Sequence, residues 1–161
     1  MSATLTPLQT SAPQLAVEAW ADFYRDGKEI FPQHWRELAV NQDKIVMDID
    51  EPRYAGMEKM NLLYLLSARV SGRMVGYLMA FVMPHFHYKS AACMSFTDMY
   101  YTLPQYRNGT GLKLALRWEK DMRERGVCQL ITSTKRHQDH TRFWELLGFV
   151  WTDNTLMKVL I

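Results

Sequence analysis

The chain has 161 residues and a net charge of +2, the size of one domain around one core, so residues 1–161 are taken as a single unit. Its 48% apolar and 22% charged residues are an ordinary globular balance and exclude a disordered chain. The slight basic excess is interleaved with acids, as in Glu119–Arg125, and lacks the clustered Lys/Arg of a nucleic-acid binder. The apolar runs Leu62–Leu66 and Met74–Met83 are too short or too broken to cross a bilayer. No charged-then-apolar leader opens the chain. No membrane partner and a cytoplasmic setting are therefore expected.

Residues 1–13 are small, polar and Pro-containing, and are expected to be frayed. Apolar residues recur at helical spacing from Leu15 to Tyr24, with Gly27 as a stop. A second helix is predicted over Phe31–Val40, with Pro32 in its first turn. Residues 41–60 carry no clear period. Leu62–Val70, the Ser71-Gly72 turn and Arg73–Met83 then read as a hairpin of strands buried on both faces. A loop over Pro84–Ser90 and a long strand over Ala92–Leu103 follow. A helix over Thr110–Arg125 is predicted, with Leu112, Ala115, Leu116, Glu119 and Met122 running down one side and a stop at Gly126. Val127–Thr132 reads as a strand and Gln138–Leu147 as a helix, with closing strands over Phe149–Thr152 and Thr155–Ile161. This order gives a mixed α/β (α+β) sheet carrying helices. Cys93 and Cys128 fall in strands without a second Cys or His at ligand spacing, so each is expected as a buried reduced thiol and no metal site is expected.

The chemistry concentrates in Tyr100–Leu112, where a strand runs into a loop whose glycines open a helix. Backbone N–H groups at such a start, with the helix dipole behind them, form a phosphate site. Glycines allow close approach, and Arg107 adds a charge-assisted donor. Pro104, Tyr106, Arg107, Gly109 and Gly111 resemble the coenzyme A loop of the GNAT acetyltransferases, whose usual form is Arg/Gln-x-x-Gly-x-Gly/Ala. Two registers fit. Matching Gly109 and Gly111 puts Tyr106 at the Arg/Gln position, and matching Arg107 puts Thr110 and Leu112 on the glycines. Downstream, Trp144-Glu145-Leu146-Leu147-Gly148-Phe149 resembles the family's Tyr-x-x-x-Gly-Phe, with about 37 residues between Gly111 and Gly148. The resemblance covers residues 62–161 by motif and 15–60 by element order, and extends to the short members encoded by phages.

The resemblance implies a mostly antiparallel sheet flanked by helices with a splayed central strand pair, and acetyl-CoA as co-substrate. It implies that Tyr101, Thr102 and Leu103 bind pantetheine through their backbone, and that Arg107, Asn108, Gly109, Thr110 and Gly111 hold the pyrophosphate. It implies transfer of an acetyl group to an amine, on a small molecule or a protein, by direct transfer in a ternary complex. Asp98 is the candidate base, because an acid inside an apolar strand has its pKa raised by desolvation. The family's acidic site lies nearer Met99, so Asp98 needs a bulge to point inward. His85 and His87, alternate residues on one loop, are further base candidates because histidine titrates near neutrality. Trp144 stands where the family has its acidic tyrosine. An indole donates a hydrogen bond but cannot protonate a thiolate, so Trp144 is assigned to coenzyme contact. A catalytically silent, protein-binding use of the fold and group transfer to nucleic acid are the competing readings, and pairing of two copies stays open.

Overall fold

The computed structural model describes residues 12–88 and 93–160. Five strands form one sheet in the order β1(Gln14–Val17), β2(Leu63–Val70), β3(Arg73–Pro84), β4(Cys93–Thr102) and β5(Gln129–Ile131). The first four are antiparallel neighbours, and β5 lies parallel to β4. Among the described residues the α-helices are α1(Trp20–Gly27), α2(Phe31–Leu38), α3(Glu51–Lys59), α4(Thr110–Glu124) and α5(Thr141–Leu146).

The predicted hairpin forms as β2 and β3. Its turn places Ser71 at φ +50° and Gly72 at +80°, the two positive values that match the turn to the strand twist. Both strands are buried over six consecutive residues or more. Such near-continuous burial requires cover on both faces. One face meets α1 and α2, where Phe23 and Phe31 stand edge-on to Tyr77. The other meets α4, where Trp118 is fully buried and donates its indole N–H to Ser95 Oγ at 3.1 Å. Each large side chain removed from water in this way stabilises the fold by about 1.5–3 kcal/mol.

Several expectations are corrected. Leu15–Tyr24 is not one helix: Gln14–Val17 pairs with β2, and the helix begins at Trp20. Pairing beside a ready strand outweighs a helical spacing that four residues cannot establish. Residues 41–60 contain α3, opened by Asp50 accepting from the Arg53 N–H at 3.0 Å, with Pro52 in the first turn. In α4 the buried face is Leu114, Ala115, Trp118 and Met122, whereas Leu112 and Leu116 are exposed. Phe149–Thr152 and residues 155–160 form no strand, and Val150, Trp151, Leu156, Met157 and Leu160 are exposed. Their β-propensity finds no partner, since it is realised only through pairing. Both cysteines are free, but neither is fully buried: Cys93 in β4 is half-buried, and Cys128, just before the edge strand β5, is exposed. Residues 1–11, 89–92 and 161 lie outside the described residues, and with them most of the expected frayed end and part of the expected loop.

Candidate active site

The loop after β4 makes a short 3₁₀ turn, Pro104–Tyr106, and delivers the chain to Gly109 at φ +95°. That left-handed conformation is cheap only for glycine. Gly109 caps α4, and its carbonyl accepts from Lys113 N–H at 3.1 Å. Thr110, Gly111 and Leu112 therefore hold the first helical N–H groups, which have no acceptor one turn back. Gly111 has a steric duty: a Cβ there would lie 2.4 Å from the Tyr100 hydroxyl. Asn108 is an exposed turn residue between Arg107 and Gly109.

Alongside this loop the sheet opens. The parallel pairing of β4 with β5 covers only Met94–Phe96 against Gln129–Ile131. A hydrogen bond of 2.9 Å between the Thr97 and Thr132 hydroxyls marks the last joint. From Met99 to Thr102, β4 pairs with β3 on one side and has no strand on the other. The Leu103 N–H donates to the Val75 carbonyl at 2.9 Å. Strand alternation then turns the Tyr101 N–H toward β3 as well and directs the Tyr100 and Thr102 N–H groups into the opening. Of the three backbone N–H groups singled out from the sequence, that of Thr102 faces the opening, whereas those of Tyr101 and Leu103 face β3; the Tyr100 N–H also faces the opening.

Asp98 sits where the β3–β4 register slips: Met79 opposes Met99, Ala80 opposes Thr97, and Asp98 is the extra residue. This is the bulge that an inward carboxylate needs. Asp98 is exposed, with protein crowded around its carboxyl. That crowding raises its pKa, while Lys135 and the Tyr54 hydroxyl of α3 pull it back down. Burial and the facing Asp98 carboxylate together push the Tyr54 phenol up to about 12. Tyr54 is held in turn by a stack on Trp20, with centroids 4.6 Å apart.

On the α2 side of the opening is a cluster that the sequence did not single out. His34 stacks on Tyr101 with centroids 4.8 Å apart, and its Nδ1 lies 2.5 Å from the Tyr77 hydroxyl. Burial pushes His34 down to about 4, so its ring is neutral near pH 7. Glu37 accepts from the Tyr101 hydroxyl at 2.9 Å, from Arg107 Nη2 at 2.6 and 2.7 Å, and from Gln138 Nε2 at 3.4 Å. Burial raises the Glu37 carboxyl, but these donors outweigh it and hold the group below the usual carboxylate range. Arg107 also donates from Nε to the Thr102 carbonyl at 2.9 Å. Its guanidinium therefore faces α2 and the end of β4. Residues Glu37 and His34 could have been found only through their spatial partners, since Glu37 and Arg107 are 70 positions apart.

The remaining candidates lie elsewhere. His85 and His87 follow β3 beyond the Pro84–Cys93 pair, roughly 15 Å along the strand from Asp98 at the usual rise per residue. They pack on each other and on Tyr88, and the structure does not bring them to Asp98. Trp144 is a core residue, 5% exposed, packed against Tyr100, Trp118 and Phe149. Its ring fills the space between α4 and α5 behind Tyr100. Among the described residues no group of three side chains could hold a metal ion, and no helix is long and apolar enough to cross a membrane.

No protein-family model matches the sequence, and no curated protein does. Solved structures match over nearly the whole chain. The ribosomal-protein-alanine N-acetyltransferase of Brucella melitensis biovar Abortus 2308 superposes with a TM-score of 0.67 at 15% identity, over 92% of this chain and 99% of that one. The glucosamine-6-phosphate N-acetyltransferase of Arabidopsis thaliana gives 0.71 at 13% identity, over 94% and 100%. A predicted acetyltransferase of Clostridium acetobutylicum, solved with acetyl-CoA, gives 0.66 at 18% identity, over 92% and 96%. At these identities the likeness is one of fold, and the fold of this chain is that of the GNAT acetyltransferases.

Proposed function

We propose that this chain is an N-acetyltransferase that moves an acetyl group from acetyl-CoA directly to an amine acceptor. One observation carries the reading. The unpaired stretch of β4, the glycine-capped start of α4 and the bulged Asp98 lie in sequence along one opening of the sheet. The residues present fit the coenzyme. The N–H groups of Thr110, Gly111 and Leu112 would face the pyrophosphate at the positive end of α4. Those of Tyr100 and Thr102 would meet the pantetheine amides as a neighbouring strand would. Acetyl-CoA supplies the activated thioester. Asp98 accepts a proton from the acceptor ammonium, directly or through a water, and its raised pKa makes it a better base than an ordinary aspartate. The donor for the leaving thiolate is not Trp144, and water entering the open side serves instead. The acceptor is a small molecule or a protein amine reaching Asp98 from the side of α2 and α3, and the setting is cytoplasmic.

A second reading, a silent module that binds a protein partner, draws on Trp144, which replaces an acidic hydroxyl by a core side chain. The two are separated by following thiol release from acetyl-CoA across a panel of amines, with thermal midpoints recorded in parallel. Wild type is expected to gain several degrees with saturating acetyl-CoA and to release thiol with at least one amine class. Asp98→Asn is expected to keep the thermal gain and lose about 10²–10⁴-fold in turnover. In wild type kcat/KM should fall as pH drops through the raised Asp98 pKa, since only the carboxylate is a base. Absence of any thermal gain in wild type would overturn the enzymatic reading.

A further inference from the structure

The two arms of the opening diverge after the Thr97–Thr132 joint, yet one side chain reaches both again. The arm formed by β4 presents the Tyr101 hydroxyl and, just beyond it, Arg107. The arm formed by β5 continues into a tight turn in which Gln138 N–H bonds the Lys135 carbonyl at 3.0 Å and the Thr134 hydroxyl bonds the Gln138 carbonyl at 3.1 Å. That turn fixes the Gln138 backbone, from which the side-chain amide bonds Glu37. Glu37, on α2, takes donors from both arms on a single carboxylate. Its side chain is 23% exposed against 45% for Arg107. The pair is therefore partly shielded, where a charge-assisted contact is stronger than at an open surface.

We propose that Glu37 is a positioning residue that sets the separation of the two arms, and with it the width of the channel in which the coenzyme lies. This rests on the acetyltransferase reading. The physical argument is the anchoring of a hinge. Two strands joined at one end gape by an amount that nothing in their backbone fixes, because the ladder has ended. A third element bonded to both free ends fixes it. α2 is suited to this, being seated on the sheet by Phe31 and by the His34 ring stacked on Tyr101. Arg107 acts through the same carboxylate, so its Nε bond to the Thr102 carbonyl also holds the strand end from which the Thr102 N–H faces the channel.

The test is a double-mutant cycle on coenzyme affinity, using Glu37→Gln, Gln138→Ala and the pair, in the full chain, with coenzyme A as the probe. Each single change is expected to weaken coenzyme A about tenfold, and the double to weaken it by clearly less than the product. KM for acetyl-CoA should rise while KM for the acceptor stays within about twofold, and the thermal midpoints of the free proteins should stay close to wild type. Unchanged coenzyme affinity with a lowered midpoint would make Glu37 merely structural and overturn the proposal. Independent, multiplicative losses would also overturn it, since the two residues would then not act through one contact. If wild type bound no coenzyme A, both this proposal and the reading beneath it would fall. If wild type bound and the variants bound equally well, only this proposal would fall.

Discussion

The two halves of the sheet are built by opposite rules. β3 is held on both sides, by eight register pairs to β2 and nine to β4, and its side chains are buried almost without a break. β5 is held on one side, by three pairs, and the described residues after α5 add no strand. In the closed half, β3 lies between two ladders that take up its backbone groups. The open half leaves N–H groups of β4 and the start of α4 without intramolecular acceptors. The site lies on the boundary, where one half holds β4 rigid and the other leaves its far edge free. Order on one edge and vacancy on the other is what a ligand that completes a strand requires.

This contrast can be broken experimentally. Leu78→Ala, at a fully buried position of β3, should cost about 2–5 kcal/mol in denaturant unfolding, a large part of the margin of a domain this size. A loss under 1 kcal/mol would mean that the closed half is looser than its burial implies. At the boundary, His34 offers a pH handle. Its pKa falls from 6.5 in the unfolded chain to about 4 in the fold. The unfolded state therefore binds the proton first as pH drops. Its contribution is fully present above pH 6.5 and is lost progressively down to about 4, about 3 kcal/mol in all. Wild type should lose stability across that window more steeply than His34→Asn, and parallel curves would remove His34 from the account. The smallest effect belongs to the open half. Leu156→Ser, at a position 94% exposed, should change stability by no more than about 0.5 kcal/mol. A loss above 1 kcal/mol would show the tail packed and the contrast overstated.

The elements most legible from the sequence were those whose signals are local and complete. The β2–β3 hairpin carries its own turn residues, and α4 carries Gly109 before it and Gly126 after it. β1 was obscured because Leu15, Ala16, Ala19, Trp20 and Phe23 satisfy a helical spacing over a stretch the fold divides between two elements. α3 had a readable start in Asp50, Glu51 and Pro52, but its apolar residues form no stripe and none of them is fully buried. The C-terminal strands were over-read because residues such as Val150 and Leu156 favour strands only when a ladder receives them. At the site, Asp98 stood out as a charge within an apolar strand. Glu37 and His34 did not, since α2 looks like an ordinary amphipathic helix until Tyr77, Tyr101 and Arg107 are set against it.

The extra residue at Asp98 has a consequence for how this strand can change over generations. It acts as a phase shifter. Ser95 and Tyr100, an odd and an even position, both look toward α4 and α5, whereas Tyr101 looks toward α2. Removing one residue between Thr97 and Met99 would restore strict alternation and exchange the two faces of everything downstream. Tyr101 would leave Glu37, and Tyr100 would swing away from Gly111. Length drift in this stretch is therefore confined to steps of two, and a lineage that lost a single residue here would have to rebuild both sides of the sheet at once.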